Sequence, residues 1–452
     1  MTLTVLHSAA MLVTMDDDGR EIADGAVAWQ DGVITAIGAT ADLAPLRQRA
    51  DRTIDARDCV VTPGLVNTHH HLFQSLTRAV PGATNASLFG WLRRLYPIWA
   101  RYRPDDVHAA TRLGLAELAL SGCTLSSDHL YLFPNGVTLD DTIAAADDIG
   151  LRFHPTRGSM SVGESAGGLP PDAMVEREPA ILADTIRVID RFHDPAPGAM
   201  VRIGVAPCSP FSVSEGLMRD AALLARDKGV MLHTHLAEDD DDVAFSLERF
   251  GCRPGVYAER LGWTGPDVWM AHGVKLDADE IALFAATGTG VAHCPCSNCR
   301  LGAGIAPIQR MLAAGVPLGL GVDGSASNDS GNLLQEARQA LLLQRVVGGA
   351  DALCPRAALR LATRGGAEML GRDDCGALTV GRRADLAVWD VASASNTGAW
   401  DMVAGLVLCP PAGVRDLIVE GRTIVAGGEL RSAPLSAILA DARRSIARLR
   451  AT

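Results

Sequence analysis

Eight short apolar runs recur along residues 60–375, and helical patterns separate them. Polar or titratable residues close most of these runs, at 69–71, 124–129, 153–157, 203–207, 230–235, 268–272, 291–294 and 318–323. The intervening patterns carry their own start and stop signals. Pro104-Asp105-Asp106 opens one helix, Val107, Leu113, Leu118 and Leu120 belong to its apolar stripe, and Gly122 ends it. Eight strand–helix units of this kind predict a (β/α)8 TIM barrel, whose chemistry gathers at the C-terminal strand ends. Apolar residues are 48% of the chain and aromatics only 4%, so the core is expected to be built from Ala, Val and Leu.

The flanks have a different texture. Residues 26–30 and 33–38 alternate around Asp31-Gly32, which predicts a hairpin. Residues 384–389 and 415–422 read as further strands closing on a Gly turn, and 433–450 as a helix rich in Ala, Arg and Leu. The expected organisation is therefore a small β-sandwich made from both chain ends (1–58 and 376–432), a catalytic barrel (59–375) and a C-terminal helix (433–452).

The apolar run 60–66 leads straight into His69, His70 and His71 and reads as one buried strand. Side chains alternate faces along a strand, so His69 and His71 can reach one ion while His70 points away. Nine of the twelve histidines (His69, His70, His71, His129, His154, His233, His235, His272, His293) fall at or near predicted strand ends. A mononuclear hydrolytic site needs three or four N/O ligands and an open position. His69 and His71 supply two; His235 or His233, which share a face, supplies a third. Asp323 closes a wholly apolar run, where a carboxylate is costly unless it serves a metal or a proton. Glu238 lies three residues past His235, within reach of a proton-shuttle role. His272 stands alone at the sixth strand end, placed to orient water or polarise a substrate. Cys294, Cys296 and Cys299 have a spacing that fits known zinc sites poorly. The chain has no Gly-rich phosphate loop of the P-loop type.

A net charge of −12 argues against nucleic-acid binding by bulk electrostatics. The first residues lack the basic and apolar regions of a leader, and no apolar run approaches the ~18 residues of a membrane span. The expectation is a cytoplasmic enzyme acting on a small molecule, with reduced cysteines and no nucleic-acid or membrane partner. A homo-oligomer is expected.

With these residues assembled, the sequence resembles the amidohydrolase superfamily, in its branch of cytosine, guanine and S-adenosylhomocysteine deaminases and triazine hydrolases. The resemblance rests on residues 63–71, 233–238, 271–273, 293–307, 321–329 and 381–386. It implies a barrel with a composite β-sandwich and one divalent metal ion, zinc or alternatively ferrous iron, on His69, His71, His235 and Asp323. His235 takes the ligand role because the family places an acid three residues beyond it. Glu238, His272 and Asp323 are then the catalytic groups. Within the branch, residues 70–78, 92–99, 127–129 and 154–160 resemble the 8-oxoguanine deaminases. The expected reaction is 8-oxoguanine plus water to uric acid plus ammonia. The alternatives are guanine or isoxanthopterin deamination, s-triazine amino- or chlorohydrolysis and, remotely, a non-catalytic scaffold. Gln74, Arg157, Trp99, His129 and Cys123 are the expected substrate contacts.

Overall fold

A computed structural model describes residues 2–410 and 413–451; Met1 and Thr452, the outermost residues of the expected flanks, lie outside them. Eight parallel strands close into a barrel: β1 (Leu65–Asn67), β2 (Cys123–Leu130), β3 (Arg152–Ser159), β4 (Gly204–Pro207), β5 (Met231–Leu236), β6 (Val268–His272), β7 (Gly290–His293) and β8 (Leu318–Leu320). Strands adjacent in the chain are adjacent in the barrel, and β8 closes on β1 with Leu320 opposite Asn67. Between β1 and β2 lie α1 (Leu88–Trp99) and the expected helix, α2 (Pro104–Leu120). The barrel floor is sealed: Val66, Leu125, Trp269 and Ala292 pack against Ala367, Met369 and Leu370. Among the described residues no helix is long and apolar enough to cross a membrane.

The second unit is a nine-stranded mixed sheet drawn from both chain ends. The expected hairpin pairs Glu21–Gln30 with Val33–Ala39 across Asp31 and Gly32, which have φ of 50° and 79°. Two consecutive positive φ values match strand twist, and Asp-Gly tolerates them. Cys59–Pro63 forms the seam, antiparallel to Leu386–Asp390 and parallel to Leu3–Val13. The C-terminal helix, α3 (Leu435–Arg450), packs on α2, where Arg448 pairs with Asp106.

The run 60–66 is not one strand. It breaks at Gly64, so Cys59–Pro63 belongs to the sheet and Leu65–Asn67 to the barrel. Gly64 N–H donates to Asp385 C=O, and Leu65 N–H donates to Gly122 C=O. A Cβ on Gly64 would lie 2.1 Å from Thr124 Cγ2, so a side chain here would force the two units apart. The sequence-based boundary at 58/59 thus falls five residues before the crossing.

Below the barrel, Arg152 at the start of β3 is fully buried and pairs with Asp385 and Glu420 of the sheet. It also donates to Gly198 C=O at 2.6 Å. Removing one partner of a buried pair strands the other charge. Asp385→Ala is expected to cost about 3–5 kcal/mol in urea unfolding. Arg431→Ala, which breaks an exposed pair with Glu429, should cost less than about 1 kcal/mol. Equal losses would contradict the pinning role of Arg152.

Candidate metal centre and catalytic cavity

The rim of β1 is set by Asn67. Its Nδ2 donates to Ser126 Oγ at 3.0 Å and its Oδ1 accepts from Val322 N–H at 2.9 Å, tying β2 and the end of β8 to β1. His69 and His71 follow directly. Gly321 presses against them from β8, where a Cβ would fall 2.7 Å from His69 Cβ.

The imidazole tautomers follow from their partners. His71 Nδ1 faces His129 C=O at 2.8 Å, and His235 Nδ1 faces Cys208 C=O at 2.6 Å. Carbonyls only accept, so each Nδ1 carries the hydrogen and each Nε2 presents a lone pair. Those two Nε2 atoms lie 3.0 Å apart. His233 Nδ1 donates to Trp269 C=O at 2.8 Å, so its Nε2 accepts from His69 Nδ1–H, also at 2.8 Å. His69 Nε2 is left buried with no hydrogen-bond partner. Asp323 Oδ1 lies 3.3 Å from His69 Nε2 and 3.4 Å from His71 Nε2. Burial holds His69 well below the usual imidazole range and pushes His235 down to about 3, so both stay neutral at pH 7. Three lone pairs and a carboxylate oxygen thus converge with no hydrogen between them. A divalent cation satisfies such a donor set. His69, His71, His235 and Asp323 are the residues that would hold it, while the Nε2 of His233 is engaged with His69.

Asp323 Oδ2 accepts from the hydroxyls of Ser297 and Ser327, and Oδ1 accepts from Gly324 N–H at 2.7 Å. Burial alone would raise its carboxyl. Its close contact with His69 and the surrounding histidines instead hold it well below the usual carboxylate range. Glu238 behaves in the opposite way: burial first, then the charge of Asp323, push its carboxyl well above the usual range. Its backbone N–H donates to Asp242 Oδ2 at 3.1 Å. Asp239 caps the helix Asp240–Phe250, whose first turn carries three acids against the positive helix end. The acidic run is therefore a helix start that aims Glu238 inward. His272 Nδ1 donates to Asn298 Oδ1 at 3.0 Å, and its Nε2 stands 3.5 Å from Glu238 Oε2. Ala237, His272 and Asp323 all adopt left-handed backbone, with φ of 52°, 73° and 60°. Non-glycine residues hold that conformation at a cost, and such positions cluster at functional sites.

These groups open into a cavity at the barrel mouth. His71, His235, Glu238, His272 and Asp323 line one side, with Gln74, Trp91, Tyr96, Tyr131, Cys208 and Phe211 around the rest. Gln74 lies where a substrate contact is expected: its Oε1 accepts from Ala326 N–H at 3.3 Å and its Nε2 is without a partner. His129 sits behind the cavity, stacked on His235 with ring centroids 5.0 Å apart and donating to Ala206 C=O. Its ligand atom joins those of His69, His71 and His235 within 4.8 Å. Arg157, Trp99 and Cys123 are not among the lining residues. Arg157 pairs with Glu176 and with Asp184 on a barrel helix. Trp99 donates to Thr77 Oγ1 at 3.2 Å and packs edge-on to Phe73. Cys123 opens β2 opposite Leu65, at the far end of the barrel from the cavity. Trp91, Leu92 and Tyr96 line the cavity from α1, and their helical spacing was the available signal. Cys208 lies one residue past the fourth predicted run.

Residues 60–424 match the amidohydrolase family. The chain belongs to this family. Over 434 residues it is 45% identical to an 8-oxoguanine deaminase of Pseudomonas aeruginosa, covering 96% of each chain. Over 412 residues it is 40% identical to a hydroxydechloroatrazine ethylaminohydrolase of a Pseudomonas species, covering 88% of this chain and 85% of that one. The fold superposes on the crystal structure of an atrazine chlorohydrolase from Arthrobacter aurescens complexed with zinc, with a TM-score of 0.93 and 34% identity over 98% of this chain and all of that one. As an amidohydrolase the chain is a metal-dependent hydrolytic enzyme.

Protons compete with a cation for the three Nε2 lone pairs, and burial holds those imidazoles neutral through the ordinary range, so metal retention is expected to persist well below pH 6.5 and to fall only as the pH approaches about 3, where His235 takes a proton. Elemental analysis after dialysis across that range checks it. At neutral pH, His71→Ala and His235→Ala should each lose the metal, whereas His154→Ala, outside the cluster, should keep it. Full metal content in the first two variants would contradict the assignment.

Proposed function

We propose that this amidohydrolase is a deaminase of an oxidised purine, converting 8-oxoguanine and water to uric acid and ammonia. The observation that carries the chemistry is geometric: three imidazole lone pairs and Asp323 Oδ1 gather at the barrel mouth, and Glu238 and His272, 3.5 Å apart, line the same cavity beside them. A buried carboxyl that is not among those four donors is placed to exchange a proton with a bound substrate. The 45% identity to an 8-oxoguanine deaminase supports the choice of purine.

A cation held by His69, His71, His235 and Asp323, zinc or alternatively ferrous iron, would supply a water whose pKa lies near about 7. Asp323 takes a proton from the attacking water. His272, with Nδ1–H committed to Asn298, presents its Nε2 lone pair to hold that water in line. Glu238 protonates the ring nitrogen beside C2, so the ring accepts the electron pair as water adds there. A proton then passes to the exocyclic amino group, the C2–N bond breaks and ammonia leaves. Gln74, with a free Nε2 donor in the cavity, would meet an acceptor on the purine edge.

A second reading is hydrolysis of an s-triazine amine, favoured by the 40% identity to an ethylaminohydrolase. The two separate in one assay: 8-oxoguanine, guanine, isoxanthopterin and hydroxyatrazine side by side, with ammonia and alkylamine both measured. The expected outcome is fastest ammonia release from 8-oxoguanine. No ammonia from any purine or pterin would sink the proposal. Glu238→Gln should lower kcat by about 10²–10⁴ while the metal stays bound.

A further inference from the structure

Glu336 lies outside the cavity lining, on the helix Leu333–Gly348 that follows β8. Its side chain is completely buried. Its two oxygens are divided between two loops. Oε2 accepts from Cys296 N–H at 3.0 Å, in the loop after β7, and Oε1 accepts from Asn328 Nδ2 at 2.7 Å, in the loop after β8. The residues beside those anchors matter most. Ser297, next to Cys296, and Ser327, next to Asn328, are the two hydroxyls that hold Asp323 Oδ2. Asn298, one residue further on, holds His272. Asn328 Nδ2 also donates to Val322 C=O at 2.6 Å, beside Asp323.

We propose that Glu336 is a positioning residue for the reaction: one buried carboxylate clamps the β7 and β8 loops together so that Ser297, Ser327 and Asn298 hold Asp323 and His272 in their working orientations. Asp323 has left-handed backbone and depends on these bonds to keep Oδ1 turned toward the histidines. The role of Glu336 rests on the assignment of Asp323 and His272 above. Gln cannot replace Glu here. An amide has one acceptor oxygen, and its NH2 would face either Cys296 N–H or Asn328 NH2, donor against donor.

The test compares Glu336→Gln and Glu336→Asp with Glu280→Gln. Glu280 is also buried, holds Gly255 N–H and Arg253, and touches none of the groups in the cavity. Metal-loaded protein is assayed with the best substrate from the panel, normalised to folded, metal-containing enzyme. The rate of metal loss to a chelator is measured separately and needs no substrate. Loosening the groups behind a ligand weakens a metal by about 10–100-fold. Glu336→Gln should therefore lose its metal at least about 10-fold faster and show kcat reduced at least about 10-fold, with KM within about two-fold. Glu336→Asp should recover part of both. Glu280→Gln should lose thermal stability with kcat and metal loss unchanged.

Wild-type kcat and metal loss in Glu336→Gln would overturn the proposal, as would equal changes in Glu280→Gln. Should Glu336→Gln not fold, a Glu336→Asp variant with wild-type kcat and metal loss at reduced thermal stability would overturn it as well. If the wild type releases no ammonia from the panel but Glu336→Gln still sheds metal faster, the substrate assignment fails and the clamp stands.

Discussion

Each imidazole that faces the metal position is aimed by an acceptor on a neighbouring segment. His71 donates to a carbonyl at the end of β2, His235 to one just past β4, and His69 to His233, which donates in turn to a carbonyl of β6. The convergence of these imidazoles is therefore a consequence of barrel register. A parallel barrel places the last carbonyl of one strand beside the first loop residue of another, and the fixed Nδ1–H leaves each Nε2 lone pair pointing at the axis. His71 and His235 are oriented by backbone carbonyls, which a point mutation cannot delete, whereas His69 depends on the side chain of His233. Asp323 is held differently, by two serine hydroxyls on two loops, and so depends on side chains that can be lost.

The polarity of the site follows from this frame. Asp323 sits among imidazoles, which favour its charged form, while burial and the neighbouring carboxylates push the Glu238 carboxyl well above the usual range. Two acids lining one cavity thus feel opposite surroundings. The strained backbone at Ala237, His272 and Asp323 shows the same priority: side-chain direction at the rim is favoured over local comfort.

The barrel, its eight strand ends and the composite sheet were legible because each strand is an apolar run with its own punctuation. The Asp31-Gly32 turn and the start of α2 were equally direct. The break at Gly64 was not, since an unbroken apolar run hides a change of partner; Pro63-Gly64 was the one clue, and only the Thr124 contact gives it force. Histidines and carboxylates at strand ends could be listed, but nothing in spacing tells a lone pair aimed at an ion from one accepting a hydrogen bond. His233 and His235 differ only in that. Substrate contacts were the least legible. Arg157 closes the third strand, where it could meet a purine carbonyl, yet Glu176 and Asp184 hold it on the helix side of β3. The cavity walls on α1 come from a helix whose placement no local pattern encodes.

The seam of the small sheet has a consequence for how the chain is made. Cys59–Pro63 needs Leu386–Asp390 as its neighbour on one side, more than three hundred residues later. While the ribosome is still working through the barrel, the emerged N-terminal strands present an open edge with no partner, and such edges invite pairing with other nascent chains. Emergence of Leu386–Asp390, rather than of the first segment, is the point at which that edge can be covered. The interval between those two segments is accordingly the stretch of synthesis in which the nascent chain is most open to aggregation.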